Sequence, residues 1–154
     1  METIALQEII LADDDADDRS LFKEALEQVL PDSKLTMATN GQELMQILEN
    51  RKPDILFLDI NMPLKNGIDC IKWIREMNRL KNLIVIAYSS AFDIGQINRA
   101  YAFGVHLYFI KPTRLQFLLE DMQRLFQLDW DNPNIITYSH FVKNNYMAFN
   151  GNRC

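Results

Sequence analysis

Five aspartates occupy six consecutive positions in the segment ILADDDADDRS, directly behind an apolar run near the N-terminus. They are Asp13, Asp14, Asp15, Asp17 and Asp18. Like charges this close repel one another, and the start of a helix needs only one carboxylate as its cap. Carboxylate oxygens are the ligands that hard divalent cations prefer. We therefore predict that the first two aspartates hold a cation, most simply Mg²⁺, and that the later ones open the helix that follows.

The acidic segment also explains the net charge of the chain. The sequence has 21 acidic and 16 basic residues, a net charge of −5, so the five aspartates equal the whole acidic excess. An acidic chain without a basic run is a poor candidate for binding nucleic acid. We therefore expect no nucleic-acid partner.

The pattern of apolar residues predicts where these acids lie in the fold. Apolar runs suited to buried strands cover residues 9–12, 35–38, 54–60, 83–89 and 106–110. Between and after them, apolar residues recur at helical spacing within 21–29, 44–48, 68–77, 94–101 and 115–125. Five strands alternating with five helices predict an α/β domain, a doubly wound and mostly parallel sheet with helices on both faces.

A reactive residue ends four of the five predicted strands. Asp13 and Asp14 follow the first, Asp59 the third, Ser89 the fourth and Lys111 the fifth. In such sheets the ligand site lies outside the carboxyl ends of the strands, so these side chains should meet there. The set suits phosphoryl transfer to a carboxylate. In that chemistry Asp59 is the nucleophile that becomes an aspartyl phosphate.

The other members of the set have matching roles. Asp13, Asp14 and Asp59 would bind Mg²⁺, and the ammonium of Lys111 would offset charge on the transferring oxygens. Ser89 would donate a hydrogen bond to the phosphate. Taken singly, several have simpler explanations: Ser89 could cap the next helix, and Lys111 could be a solvated strand end. Asp59 is harder to dismiss, because burying a carboxylate is costly unless it is paired or bound to a cation.

Four segments in this order resemble the receiver domains of two-component response regulators. They are LADDD, LFLDINMPLKNG, VIAYSSA and YFIKP, and the resemblance runs from about residue 9 to 126. It implies a flavodoxin-like five-stranded parallel sheet of order 2-1-3-4-5, with Asp13 and Asp14 as the acidic pair and Asp59 as the phosphoacceptor. It also implies that the carbonyl of Asn61 binds the metal, that Ser89 and Tyr108 are the switch residues, and that a cis bond joins Lys111 to Pro112. Ser89 stands where threonine is commoner, but the hydroxyl is kept.

The resemblance implies a single-domain response regulator rather than an enzyme acting on other substrates. Residues 4–128 would form the receiver domain, and 129–154 a tail without an output domain. The phosphoryl group would come from a histidine kinase or a histidine phosphotransfer protein, and the signal would pass to a downstream protein; a homodimer stays open. With two cysteines, no signal peptide and no apolar run long enough to cross a membrane, we expect a cytoplasmic protein.

Two other functions remain as alternatives. One is a pseudo-receiver, an interaction module that works without phosphate. The other is an aspartyl-nucleophile phosphohydrolase, which is disfavoured because that class needs a second aspartate two positions after the nucleophile. Asn61 stands there instead.

Two further predictions concern the switch and the tail. On phosphorylation Ser89 should move to the phosphate and Tyr108 should turn in from solvent, unless Tyr108 is simply a packed aromatic. The response would appear on a face that includes Arg99, Tyr101, His106 and Tyr108. In the tail, residues 130 to about 141 should pack near the fifth helix, whereas residues 150–154 should stay mobile. Docking of the tail on a partner or a second subunit is the alternative.

Overall fold

The computed structural model describes residues 8–142, in which five strands alternate with helices along the chain. The elements are β1 (Glu8–Ala12), α1 (Ala16–Val29), β2 (Lys34–Ala38), α2 (Gly41–Leu48), β3 (Ile55–Leu58), α3 (Gly67–Glu76), β4 (Ile84–Ser89), α4 (Ile94–Phe103), β5 (Leu107–Ile110) and α5 (Leu115–Phe126). All neighbouring strands are parallel, in the order β2-β1-β3-β4-β5. This architecture confirms the predicted fold.

Two apolar layers cover the sheet, because alternate strand residues face opposite sides. Leu56 and Leu58 of β3 pack in the layer with α2, α3 and α4. Ile55 and Phe57 pack in the other layer, with α1 and α5. Since helices cover both faces of the sheet, its polar residues lie at the ends of the strands. The site lies at the carboxyl ends.

The helix caps show which residues begin α1 and α4. Asp15 is the N-cap of α1, and its carboxylate accepts from the backbone N–H groups of Asp17 and Asp18. This confirms that one of the later aspartates opens the helix. Asp93, and not Ser89, caps α4, so the hydroxyl of Ser89 is free of a capping role.

Gly67, the first residue of α3, lets this helix begin close to the end of β3. A Cβ atom on Gly67 would lie 2.6 Å from the backbone oxygen of Asp59, and also 2.6 Å from the Cα of Ile60. Any larger residue would push the two segments apart. The glycine thus keeps the loop after Asp59 short and tight.

A sixth helix follows the sheet, at α6 (Pro133–Thr137), and a π-helical turn at Tyr138–Val142 continues it. The sequence analysis predicted five helices, the last within residues 115–125, and none around Pro133. Pro133 instead stands at the start of α6, where a backbone N–H has no helical partner to lose.

The segment after α5 packs back on the domain, as predicted for its first part. Trp130 is 4% exposed and its indole N–H donates to the carbonyl of Leu125 at 2.8 Å. Ile136 is buried in the α1–α5 layer, and the Thr137 hydroxyl donates to the carbonyl of His106 at 2.7 Å. The side chain of Phe141 and residues 150–154 lie outside what the structure describes.

The expected cis bond before Pro112 is wrong: residues 8–142 contain no cis peptide bond. The long side chain of Lys111 reaches its partners from a trans peptide. No helix in the same stretch is long and apolar enough to cross a membrane.

Candidate functional site

Asp13, Asp14 and Asp59 meet at the carboxyl edge of the sheet, as predicted, with carboxylate oxygens within 4.8 Å of one another. Strand pairing brings them together, because β1 and β3 are neighbours and Ala12 lies opposite Leu58. Asp13 is fully buried and Asp59 nearly so, whereas Asp14 is exposed. The site therefore has two buried carboxylates and one at its mouth.

The two buried carboxylates are oriented in the same way. Asp13 Oδ1 accepts from the backbone N–H of Asp15, and Asp59 Oδ1 accepts from the backbone N–H of Asn61, each at 3.0 Å. The second oxygen, Oδ2, of each faces Lys111. Oδ2 of Asp13 is buried, and the Lys111 ammonium lies 2.8 Å from it. An oxygen-only donor set of this kind fits a hard divalent cation.

Lys111 lies among these carboxylates. Its Nζ is 2.8 Å from Asp13 Oδ2, 2.9 Å from Asp18 Oδ2 and 3.2 Å from Asp59 Oδ2. Its backbone N–H donates to the carbonyl of Ser89, which fixes the end of β5 beside β4. We call Asp13, Asp18, Asp59 and Lys111 the ionic cluster.

Burial and pairing shift the ionisation of this cluster. Burial raises the pKa of the Asp59 carboxyl from its ordinary 3.8 to about 6, against the opposing charge of Lys111. Burial alone would lower the pKa of the Lys111 ammonium, but Asp13, Asp59 and Asp18 raise it above its ordinary value. At neutral pH the cluster therefore holds an ionised carboxylate beside a charged ammonium.

Asp18 is a member of the site that the sequence analysis missed. It was interpreted as part of the helix start, and it does lie in the first turn of α1. Its carboxylate nevertheless reaches Lys111, which follows β5. Asp14 precedes the extended N-cap of α1, Asp15, so helical spacing does not link Asp14 to Asp18 and no pattern in the sequence pointed to this contact.

A second set of side chains, without charge, lies beside the ionic cluster at β4, α4 and β5. The amide nitrogen of Gln96 donates to the Ser89 hydroxyl at 3.3 Å and to the Tyr108 hydroxyl at 2.8 Å. The Tyr108 hydroxyl in turn donates to the carbonyl of Ala91 at 2.7 Å, and the Ala91 N–H donates to Ser89 Oγ at 3.2 Å. We call Ser89, Ala91, Gln96 and Tyr108 the neutral network.

The orientation of Tyr108 differs from the prediction. The sequence analysis expected this ring in solvent, with a simply packed aromatic as the alternative; the structure buries the ring completely, which agrees with the alternative. The ring packs in the layer with α2, α3 and α4, and its hydroxyl has two partners inside. Because the polar tip is satisfied there, burial of the aromatic body carries little cost. Gln96 was not predicted, and no motif points to it.

The predicted response face is only partly on the surface. Arg99 is exposed, whereas Tyr101 is buried. The Tyr101 hydroxyl accepts a hydrogen bond from the backbone N–H of Tyr108. The Nδ1 of His106 accepts from the Val85 N–H, and burial, with the Arg75 charge, lowers the pKa of His106 to about 4. A partner at this face would meet α4 more than the aromatic rings.

Comparison with known proteins assigns the family. The profile of the response regulator receiver domain matches residues 9–123. Chemotaxis protein CheY of Pseudomonas aeruginosa is 32% identical over 114 residues, which cover 72% of this chain and 92% of CheY. The chain belongs to the family of response regulator receiver domains.

Two further relatives extend the comparison. The probable C4-dicarboxylate response regulator DctR of Priestia megaterium is 26% identical over 133 residues, which are 85% of this chain but only 58% of DctR. This chain thus spans little more than half the length of that relative. Among solved structures, the phosphorylated cyanobacterial phytochrome response regulator RcpA has a TM-score of 0.72 at 25% identity, covering 77% of this chain and 90% of RcpA.

Proposed function

We propose that the protein accepts a phosphoryl group on Asp59 from a histidine kinase or a histidine phosphotransfer protein, and signals through protein contacts. The observation that carries this proposal is the arrangement of Asp59 Oδ2, which is 3.2 Å from Lys111 Nζ and shares that ammonium with Asp13. The nucleophilic oxygen of Asp59, the ammonium of Lys111 and the carboxylates that could bind a metal are thus neighbours.

The transfer we propose is a single displacement. An Asp59 oxygen attacks the phosphorus of a phosphohistidine, and the O–P bond forms as the N–P bond breaks. The electron pair stays on the imidazole nitrogen, which takes a proton from solvent. Mg²⁺, held by Asp13, Asp14, Asp59 and the carbonyl of Asn61, would offset negative charge on the phosphoryl oxygens.

The chain's own residues have distinct tasks in this step. Lys111 places a positive charge next to Asp59, and a phosphoryl oxygen can take the place of a carboxylate as its partner. Asp18, whose Oδ2 is 2.9 Å from Nζ, would keep the ammonium in the site during that exchange. Ser89 would turn its hydroxyl towards the phosphate, and the rearrangement would then reach α4 and Tyr108.

We further propose how the chain divides. Residues 4–128 act as the receiver unit, and the helix at Pro133–Thr137 adds to that unit instead of forming a separate module. Kinase and target would bind by protein contacts in the cytoplasm, without nucleic acid, and a homodimer would be compatible with this scheme. Beyond its own phosphorylation and dephosphorylation, the protein would catalyse no reaction.

A pseudo-receiver is the second candidate, and one observation favours it. Tyr108 is fully buried and its hydroxyl is bonded inside the fold, so the outer face could form without a movement of this ring. Target binding that is equal for wild type and an unphosphorylatable protein would support this candidate.

The deciding experiment measures phosphorylation directly. The protein is incubated with Mg²⁺ and an acyl phosphate, and its intact mass is followed with and without a chelator. We expect one phosphoryl group per chain, on a peptide containing Asp59, only when Mg²⁺ is present. No modification, or modification on another peptide, would overturn the proposal.

A further inference from the structure

Gln96 in the first turn of α4 contacts both residues proposed to report phosphorylation. Its Nε2 lies 3.3 Å from Ser89 Oγ and 2.8 Å from the Tyr108 hydroxyl. A side-chain amide has two N–H donors, one for each of these partners. We propose that Gln96 is a positioning residue that holds the Ser89 hydroxyl beside α4 and transmits its departure to that helix. This inference rests on the proposed function.

The present contacts of Ser89 are those that a turn of its hydroxyl towards a phosphoryl oxygen would break. Its oxygen accepts from the Ala91 N–H at 3.2 Å and from Gln96 at 3.3 Å. A hydroxyl oxygen has two acceptor positions, so both are in use. When Ser89 moves to a phosphoryl oxygen on Asp59, it leaves Gln96. The amide of Gln96 then loses one of its two partners.

Gln96 is placed so that this loss acts on α4. Its own backbone N–H donates at 2.9 Å to Asp93, which caps the helix. The far end of α4 is held to the same strand, because Tyr101 accepts from the backbone N–H of Tyr108. The position of α4 against β5 therefore depends on bonds to Tyr108 at two points, and the amide of Gln96, at the first of them, also bonds Ser89.

The start of α4 carries an exposed apolar surface that such a change would move. Phe92 is 74% exposed and Ile94 is 61% exposed, on either side of the capping residue. Both lie within four residues of Gln96 in the chain. The departure of Ser89 would thus alter the exposed apolar surface at the start of α4, to which a protein partner could bind.

The test removes the donors of Gln96 and keeps most of its volume. Gln96→Leu removes both hydrogen bonds of the amide, and of these only the bond to Ser89 opposes the turn of that hydroxyl towards the phosphoryl group. Beryllofluoride with Mg²⁺, a mimic of the phosphoryl group, should therefore bind about threefold to tenfold more tightly than to wild type. The amide NMR shifts of α4 on addition of beryllofluoride should become smaller. Gln96→Met is a second variant of similar length should Gln96→Leu not fold.

A double-mutant cycle separates this role from simple packing. In a Ser89→Ala background, Gln96→Leu should leave beryllofluoride affinity unchanged, because the bond it removes no longer exists. The control is Gln46→Leu, the same change at an exposed glutamine of α2, which should match wild type in affinity and in α4 shifts.

Each outcome has a definite meaning. Equal or weaker beryllofluoride binding by Gln96→Leu, or the same effect with and without the Ser89 hydroxyl, overturns the role of Gln96 alone. A wild-type protein that binds no beryllofluoride overturns the proposed function and this inference with it. A tighter Gln96→Leu protein whose effect disappears in the Ser89→Ala background supports the inference.

Discussion

The ionic cluster and the neutral network lie side by side at one edge of one sheet, but they are held by different forces. The ionic cluster places three carboxylates within 3.2 Å of a single ammonium. The neutral network uses short bonds between uncharged groups, of 2.7 to 3.3 Å. Charge acts over distance and tolerates changes in angle, whereas a neutral hydrogen bond is lost after a small displacement.

This difference teaches how the two halves can share one task. The ionic cluster is suited to capturing a doubly charged phosphoryl group and a metal, because both interact strongly with buried charge. The neutral network is suited to detecting the capture, because a shift of one hydroxyl changes its partners. Changes to the ionic cluster should therefore affect chemistry and stability strongly, and changes to the neutral network should affect mainly the response.

The largest expected effect is the loss of phosphorylation on removing the nucleophile. Asp59→Asn should take up no phosphoryl group from an acyl phosphate, because an amide is not nucleophilic at this position. Intact-mass spectrometry measures this. Asp69→Asn, the same change at an exposed aspartate of α3, is the matched control and should be labelled like wild type. Full labelling of the Asp59→Asn protein would place the acceptor elsewhere.

The next effect concerns the stability of the ionic cluster without metal. Lys111→Met leaves buried carboxylates without their cation, and breaking a buried pair in this way costs about 3–5 kcal/mol of unfolding free energy. Denaturant unfolding in a chelating buffer measures the loss. Mg²⁺ should restore part of it, since a ligand that binds only the native state stabilises it.

The control for that prediction is a lysine paired on the surface. Lys23 lies 3.9 Å from Glu27 and both are exposed, so Lys23→Met should change stability by no more than about 0.5 kcal/mol. A Lys111→Met loss as small as the control would mean that the cluster is hydrated and not held by charge.

The dependence of stability on pH should also distinguish the ionic cluster from the neutral network. Asp59 binds its proton more tightly in the folded chain, with a pKa of about 6 against 3.8. Wild-type stability from this group therefore falls as the pH rises from about 4 to about 6. Asp59→Asn lacks this loss. The unfolding free energy of the variant minus that of wild type should therefore increase across that window, by up to about 3 kcal/mol.

Comparing variants removes another titration from the measurement. The depressed pKa of His106, about 4, makes stability rise with pH up to about 6.5. This trend opposes that of Asp59 but is present in both proteins, so it cancels in the difference. Metal-free unfolding curves at pH 4 to 7 give the result. A difference that does not change with pH would contradict a raised Asp59 pKa.

The smallest effect is expected in the neutral network. Tyr108→Phe removes one hydroxyl that bonds Ala91 and Gln96, and should cost about 0.5–1.5 kcal/mol at any pH between 4 and 7. Phosphorylation of Asp59 should continue at the wild-type rate. Thermal unfolding and acyl-phosphate labelling test the two halves of this statement. Lost labelling would mean that the network takes part in the chemistry itself.

The sequence predicted the elements and most of the ionic cluster well. Apolar runs and helical spacing located every strand to within two residues at each end, since a sheet covered on both faces needs continuous apolar strands. Asp13, Asp59 and Lys111 could be identified because each follows such a run, and parallel strands bring their ends together. Asp18 was missed because a place in the first turn of α1 was a sufficient explanation for its charge.

The tertiary structure alone decided the rest, and for one physical reason. Hydrogen bonds between distant neutral side chains leave no periodicity or charge pattern in a sequence, so Gln96 could not be found from its neighbours. The burial of Tyr108 depends in the same way on a carbonyl, that of Ala91, which only the packed chain places within 2.7 Å. The sequence determined which charges would meet at the carboxyl ends of the strands, because the strand ends follow from the local apolar pattern and the strand order was implied by the family resemblance. The partners of Ser89 and Tyr108 depended on how α4 packs, which local pattern does not encode.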